Sequence, residues 1–128
     1  TWLKGATGHE IAGCCIQAAT RDFARFGQFV LNDAGGKTVP ADWFAQATTK
    51  QKDIGTPGMG YGFQWWTQDD GVYGAYGIFG QAVRVDPDRR LVIVLLSSWP
   101  RAVGRTHRVA REAFFQQVAA AVDAAPQP

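Results

Sequence analysis

The chain has 128 residues, of which 46% are hydrophobic and 19% charged, and this is enough apolar material for one packed core. These values exclude an intrinsically disordered chain, and the net charge of +2 is too small to indicate a nucleic-acid partner. No apolar run approaches the roughly 18 residues of a membrane-spanning helix, so no membrane partner is expected either.

Two helices are predicted in the first half of the chain. Residues 1–19 contain glycines and show no sustained period, but apolar side chains recur at helical spacing from Thr20, which we expect to cap a helix. The glycine-containing run at residues 32–36 predicts the end of that helix. A shorter helix is predicted to begin at Pro40 and to run through Ala47, because proline is tolerated in a first turn.

Four strands and a last helix are predicted in the second half. Residues 50–60 are polar and rich in glycine, which predicts a loop. Turn signals bound the extended patterns that follow, and we assign strands to residues 61–67, 72–79, 81–85 and 91–96. Short connections imply antiparallel pairing, and an amphipathic helix is predicted over residues 105–121. The order predicts one α+β domain, an antiparallel β-sheet flanked by helices.

No self-contained catalytic constellation is visible in the sequence. Ser97 and Ser98 are its two serines, and neither stands in the G-x-S-x-G or S-x-x-K pattern of an activated serine nucleophile. Two histidines and two adjacent cysteines do not make a four-ligand metal site, so no metal or other cofactor is expected. Cys14 and Cys15 are neighbours, which rarely meet disulfide geometry, and we expect them to pack as small apolar side chains.

Several stretches nevertheless resemble the serine hydrolases related to class C β-lactamases and penicillin-binding proteins. The run TRDFARFGQF at residues 20–29 is similar to a helix motif of that family, T-A-x-D-[LM]-A-R-F-G. The runs YGFQWW from residue 61, GIFGQ from residue 77 and LVIVLLS from residue 91 resemble the strands that follow it. The similarity covers nearly the whole chain and is greatest to the esterase and 6-aminohexanoate-oligomer hydrolase branches.

The resemblance implies the C-terminal portion of a β-lactamase/transpeptidase-like fold, in which an α/β domain packs against an all-helical domain. In that family the nucleophilic serine and its lysine come from S-x-x-K, and a tyrosine of a Y-x-N or Y-x-S motif shuttles protons. None of Tyr61, Tyr73 and Tyr76 stands in such a motif. Residues 1–128 are therefore expected to be a C-terminal segment of an ester or amide hydrolase, inactive without the upstream part of the same enzyme.

The expected site residues come from the same resemblance. In the family a K-T-G-like triplet lines the pocket, and the backbone N–H after its glycine donates to the oxyanion. Ala75-Tyr76-Gly77 stands at the triplet position, which makes the N–H of Ile78 the candidate donor. A strand edge suits this role because it aims an N–H rigidly, and a preceding glycine lets an acyl group come close. The substrate-binding residues implied are Tyr76, Gly77, Phe79, Gly80 and one of Trp65 and Trp66.

Alternatives stay open at these positions. Strand aromatics are common in cores, so sheet packing is the favoured interpretation for Tyr76, Phe79 and the tryptophans, and a β-bulge is the alternative for the glycines. Without a lysine in the triplet the usual anchor for a β-lactam carboxylate is missing, which favours a small neutral ester or amide as substrate. A second hypothesis is a non-catalytic module, since a half-sheet with an exposed edge should self-associate or bind a partner.

Overall fold

The computed structural model describes residues 1–11, 13–32 and 39–126. It confirms the predicted fold class, because the described residues form a six-stranded antiparallel sheet flanked by helices. None of the helices in this part of the chain is long and apolar enough to cross a membrane. The elements in chain order are α1 (Thr20–Leu31), α2 (Trp43–Ala47), β1 (Lys52–Asp53), β2 (Met59–Tyr61), β3 (Trp66–Gln68), β4 (Tyr73–Tyr76), β5 (Ala82–Asp86), β6 (Leu91–Leu95) and α3 (Arg105–Ala124).

The sheet is a meander in which every strand pairs with its neighbours in the chain, in the order β1-β2-β3-β4-β5-β6. The pairing of β5 with β6 runs from Ala82 opposite Leu95 to Asp86 opposite Leu91. No other described strand pairs with β6, so the backbone groups along its outer edge have no strand partner within the described residues.

Alternation along the strands divides the buried side chains between two faces of the sheet. The face beneath α1 and α2 holds an apolar core of Val30, Ala47, Trp65, Tyr73, Val83 and Val85. The opposite face packs against α3 through Ala82, Ile93 and Phe115. Arg84 lies on this second face, where its guanidinium stands 5.3 Å from the ring centroid of Phe115.

Helix α1 lies close against the sheet at Gly27, the glycine of the FARFG run. A Cβ on this residue would lie 2.5 Å from Cγ1 of Val92 and 3.2 Å from Cγ1 of Val83. Both neighbours are stiff, β-branched side chains, so a larger residue would push the helix away from β5 and β6. This glycine therefore sets the distance between α1 and the sheet.

Three predicted helix boundaries differ from the structure. Thr20 lies inside α1, whose N-cap is Ala19, and no side chain caps the helix. The expected capping bond is absent because the cap position falls one residue earlier, on an alanine. Helix α1 ends at Leu31, directly before the predicted stop at residues 32–36, of which 33–36 lie outside the described residues. Helix α2 begins at Trp43 and not at Pro40, because Asp42 takes a left-handed φ of 63°, and α3 continues to Ala124, beyond the predicted end.

The predicted strand over residues 61–67 is broken into two. The N–H of Gly62 donates to the carbonyl of Trp65 at 2.7 Å, and Gln64 takes a φ of 69°, so the chain turns between β2 and β3. The predicted loop at residues 50–60 contains β1 and most of β2. These short strands form by backbone pairing to their neighbours, which does not require the apolar alternation that the prediction relied on.

Cys14 and Cys15 are joined by a disulfide, which corrects the expectation that they pack as separate apolar side chains. Cys15 has a φ of 75°, a left-handed conformation that folds the chain back at this position. The N–H of Leu3 donates to the carbonyl of Cys15 at 3.3 Å, so the disulfide lies in a hydrogen-bonded N-terminal loop.

The burial of Tyr73 predicts that the fold loses stability in alkaline solution. This side chain is 6% exposed, and burial raises the pKa of its hydroxyl to about 12. An unfolded tyrosine ionises near pH 10 (about 10 in model peptides), so the unfolded state loses this proton first as pH rises. We expect the free energy of unfolding to be unaffected by this group below about pH 10 and to fall between about pH 10 and 12. Urea unfolding across that range measures the loss, and Tyr73→Phe should have a smaller slope; an unchanged slope would contradict the assignment.

Candidate functional site

The residues of the GIFGQ run form the turn between β4 and β5. Strand β4 ends at Tyr76, three residues before the end of the predicted strand. The N–H of Gly77 donates to the carbonyl of Gln81 at 2.8 Å, and the N–H of Gly80 donates to the carbonyl of Gly77 at 3.1 Å. Gly80 has a φ of 93°. These bonds are typical of a three-residue hairpin loop that closes on a left-handed residue, so Ile78 lies in a turn and not on a strand.

The N–H of Ile78 points out of this turn. The described residues contain no cis peptide bond, and in a trans peptide the carbonyl of Gly77 and the N–H of Ile78 point in opposite directions. Because that carbonyl accepts the N–H of Gly80 inside the turn, the N–H of Ile78 is directed outward. No backbone carbonyl of the described chain accepts it, and the Ile78 side chain is 58% exposed. The group is therefore free to donate to a molecule outside this part of the chain.

The segment of residues 97–103 holds the turn from the side of β6. The N–H of Val103 donates to the carbonyl of Ile78 at 2.7 Å, and the N–H of Trp99 donates to the carbonyl of Phe79 at 3.0 Å. Two consecutive carbonyls of the turn are thus fixed by hydrogen bonds to one segment. The peptide that carries the Ile78 N–H is the one immediately before them, so its orientation is restricted as well.

The indole of Trp99 fills the space beside Gly80. A Cβ on Gly80 would lie 2.2 Å from the indole nitrogen, so the glycine is required by this contact as well as by its left-handed backbone. The same indole also meets α3, where the His107 ring stacks on it with centroids 5.5 Å apart. The guanidinium of Arg111 lies 5.5 Å from the indole ring centroid.

Tyr76 faces α3. Its ring centroid lies 4.4 Å from the guanidinium carbon of Arg111, and it packs against the cluster around Phe115. Its hydroxyl is buried and has no hydrogen-bond partner in the described part of the chain, and burial raises the pKa of that hydroxyl. The side chain therefore packs the sheet against the helix, and its contribution to a substrate pocket stays a prediction.

The remaining predicted pocket residues lie in separate environments. Trp65 is buried in the core beneath α1, whereas Trp66 is half-buried and meets the Tyr61 ring edge-on, with centroids 4.9 Å apart. Phe79 is 41% exposed and follows Ile78 at the tip of the turn. Among the predicted wall residues, Phe79 is the aromatic side chain placed next to the free N–H.

Gly77 lies at the start of the same turn, against a side chain. A Cβ on it would stand 2.3 Å from Oε1 of Gln81. The side-chain amide of Gln81 in turn donates to the carbonyl of Ser97 at 3.2 Å. Both glycines of the turn are therefore packed closely by neighbours, which is a structural role that is compatible with lining a site.

The free N–H lies outside two surface depressions that are both lined by Lys50 and Asp69. There the Asp69 carboxylate raises the pKa of the Lys50 ammonium by hydrogen bonding. No cluster of three potential metal ligands occurs in residues 1–11, 13–32 and 39–126. What the site offers chemically is one rigid backbone donor beside two exposed apolar side chains, those of Ile78 and Phe79.

Trp99 contacts the turn and is itself contacted by His107 and Arg111, and no role was predicted for these three residues. The sequence features that could have indicated these three residues are weak. His107 and Arg111 are four residues apart, which places them on one helix face, and Trp99 precedes a proline three residues after the last predicted strand. Neither feature predicts that Trp99 packs against the 77–80 turn or that His107 and Arg111 contact Trp99.

Comparison with known proteins gives three findings. The family model described as Beta-lactamase matches residues 5–116. A 6-aminohexanoate-dimer hydrolase of Paenarthrobacter ureafaciens is 30% identical over 132 aligned positions, which cover 92% of this chain and 34% of that protein. A solved structure named as a 6-aminohexanoate-dimer hydrolase of Bacillus anthracis matches with a TM-score of 0.78 and 28% identity, over 98% of this chain and 34% of that one. The chain thus spans about a third of the length of these relatives.

Gly80→Ala is expected to destabilise the chain more than Gly71→Ala. Both glycines have positive φ, 93° and 82°, so alanine costs about 1–2 kcal/mol of backbone strain at either position. Gly71 has open space around it, whereas a methyl on Gly80 meets the Trp99 indole. We therefore expect a further loss of about 1–3 kcal/mol in the free energy of unfolding of Gly80→Ala. Urea unfolding of the two variants measures the difference, and equal losses would show that Trp99 does not constrain the turn.

Proposed function

Because the chain belongs to the beta-lactamase family of serine hydrolases, we propose that it is the C-terminal segment of an enzyme that hydrolyses ester or amide bonds. Within that enzyme the N–H of Ile78 serves as an oxyanion-hole donor. The outward direction of this N–H, on a turn fixed at its next two carbonyls, is the observation that supports the role. A donor that is already aimed needs no reorganisation when charge develops on the substrate oxygen.

We assign the nucleophile to a part of the enzyme outside these residues. The chain contains no Ser-x-x-Lys, and none of its three tyrosines is followed two residues later by Asn or Ser. It also spans only about a third of the relatives that it matches. The serine, the lysine and the proton-shuttling tyrosine then come from the N-terminal part of the same enzyme, together with an all-helical domain.

In the proposed reaction the serine oxygen bonds to the substrate carbonyl carbon while the lysine and tyrosine take its proton. The carbonyl oxygen becomes an oxyanion and accepts the N–H of Ile78. Collapse of this intermediate breaks the bond to the leaving alcohol or amine, which receives the proton. Water then attacks the acyl-serine in the same way, which releases the acid and restores the serine hydroxyl.

The turn favours an apolar acyl group. Ile78 and Phe79 are 58% and 41% exposed beside the donor, and the triplet Ala75-Tyr76-Gly77 offers no ammonium for a β-lactam carboxylate. Aliphatic or aromatic chains bind to such surfaces by losing contact with water. The dimer of 6-aminohexanoate, for which two relatives are named, is an amide with an aliphatic chain and is a reasonable first substrate to assay.

The outer edge of β6 gives the rest of the enzyme a place to pack. This edge runs along Leu91–Leu95, has no partner strand among the described residues, and is followed by Leu96, which is 48% exposed. Unpaired edges of apolar strands readily accept another strand. We assign this edge to the N-terminal part of the same enzyme. The second candidate function, a non-catalytic interaction module, rests on the same edge and predicts that the isolated chain self-associates through it.

The isolated chain is expected to hydrolyse no p-nitrophenyl ester and to take no label from a fluorophosphonate probe, because it lacks the nucleophile. The full-length enzyme should do both, with the label on the serine of its Ser-x-x-Lys motif. Mass spectrometry of the labelled peptides identifies the modified residue. The control is the full-length enzyme with that serine changed to alanine. Labelling of Ser97 or Ser98 in the isolated chain would contradict the assignment.

Ile78→Pro in the full-length enzyme is expected to lower kcat by about 10²–10³-fold, because it removes one oxyanion donor. Proline deletes the N–H, but its fixed φ suits the second residue of a turn, so the 77–80 turn can form. Ile78→Val retains the N–H and should retain activity. Steady-state kinetics with a p-nitrophenyl ester and thermal unfolding of both variants test this. A folded Ile78→Pro enzyme with unchanged kcat would remove Ile78 from the site.

A further inference from the structure

We infer that Trp99 is a positioning residue, which holds the 77–80 turn so that the Ile78 N–H keeps one direction; this inference rests on the proposed oxyanion role of Ile78. It assigns a function to a side chain that touches no reacting atom. Three features of the structure carry it: the two contacts of Trp99 with the turn, its attachment to α3, and the link from α3 back to β4.

Trp99 contacts the turn through both its backbone and its side chain. Its N–H donates to the carbonyl of Phe79 at 3.0 Å, and its indole occupies the space beside Gly80 so closely that a Cβ there would stand 2.2 Å from the indole nitrogen. The indole therefore limits how Gly80 can rotate. Because Gly80 donates to the carbonyl of Gly77, a shift at Gly80 would alter the peptide that carries the Ile78 N–H.

Arg111 connects Trp99 to the other end of the turn. Its guanidinium lies 4.4 Å from the ring centroid of Tyr76, the residue before Gly77, and 5.5 Å from that of Trp99. Cation–π contacts of this kind are strongest where water is excluded, and the Arg111 side chain is 9% exposed. One guanidinium thus contacts the residue that precedes the turn and the indole that packs against Gly80 at its other end.

The guanidinium itself is fixed in place. Its Nη2 donates to Oε1 of Glu112 at 3.0 Å, and the other carboxylate oxygen of Glu112 lies 3.6 Å from Nη1 of Arg84 on β5. The positive charge of Arg111 is therefore paired, and α3 is attached to the same β4–β5 hairpin that carries the turn. The His107 ring stacks on Trp99 from the same helix, which adds a second restraint on the indole.

Loss of this support should act on the transition state more than on substrate binding. A misdirected N–H donates less well to the oxyanion, which forms only in the transition state, so kcat falls while KM changes little. General destabilisation has a different signature, because it lowers the amount of folded enzyme without a specific dependence on the Ile78 N–H. The two effects can be separated by combining substitutions.

The test uses the full-length enzyme with Trp99→Leu, Ile78→Pro and both together. We expect Trp99→Leu alone to lower kcat by about tenfold with KM within about twofold of the unsubstituted enzyme. In the Ile78→Pro background it should lower kcat no further, because the N–H that Trp99 positions is already gone. Effects on kcat that multiply, or a change confined to KM, would overturn the positioning role.

Three further variants keep the test decisive. Trp99→Phe retains an aromatic ring, and Arg111→Lys retains the charge without the planar stack, so each should lower kcat by a smaller factor than Trp99→Leu. They take the place of Trp99→Leu if that variant does not fold. Val118→Ala removes packing from α3 about two helical turns beyond Arg111 and should lower the unfolding temperature with kcat unchanged. An equal loss of kcat in Val118→Ala would overturn the inference.

If Ile78→Pro lowers kcat and none of the Trp99 or Arg111 variants does, the positioning role is wrong while the oxyanion role stands. If Ile78→Pro has no effect, the proposed function itself is wrong.

Discussion

A hydrogen bond from the N–H of Gly80 to the carbonyl of Gly77 determines the direction of the peptide between Gly77 and Ile78. With the carbonyl used inside the turn, the N–H on the opposite side of that rigid peptide has to face outward. The bond forms because Gly80 can take a φ of 93°. Because glycine has no side chain, the indole of Trp99 can occupy the space beside it. The left-handed backbone of Gly80 is thereby connected, through Trp99, to packing against α3.

The two faces of the sheet stabilise the molecule in different ways. The face beneath α1 is apolar and closely packed, and Gly27 sets the helix distance there. The face beneath α3 also holds Arg84, Arg111 and Glu112, whose charges lie close to each other and to aromatic rings. Paired charges fix geometry well but contribute little net stability, which is compatible with the positioning role that we propose for this region.

The sequence was sufficient for the fold class, because β5 alternates, β6 is a continuous run of β-branched and leucine residues, and α3 has a helical pattern. It was not sufficient where a tertiary contact decides the local structure. The turn at Gly62 forms against α2, and a Cβ on Gly62 would stand 2.0 Å from the carbonyl oxygen of Ala47. No local sequence pattern predicts that contact. Ile78 was predicted to lie on a strand edge, whereas the structure places it in a turn that depends on the left-handed backbone of Gly80, for which the sequence allowed only a β-bulge as the structural alternative. The contacts of Trp99 and Arg111 join residues that are distant in the chain, and the sequence alone shows only their residue types.

Each strand of the meander has its partners immediately before and after it in the chain, so the whole sheet can assemble from successive hairpins. Each of these strand pairings closes a short loop, which costs less chain entropy than a pairing between distant segments. In a longer polypeptide this segment would be complete before a distant strand could reach it. The last strand, already paired on one side, would then serve as the template on which the remainder of the protein aligns.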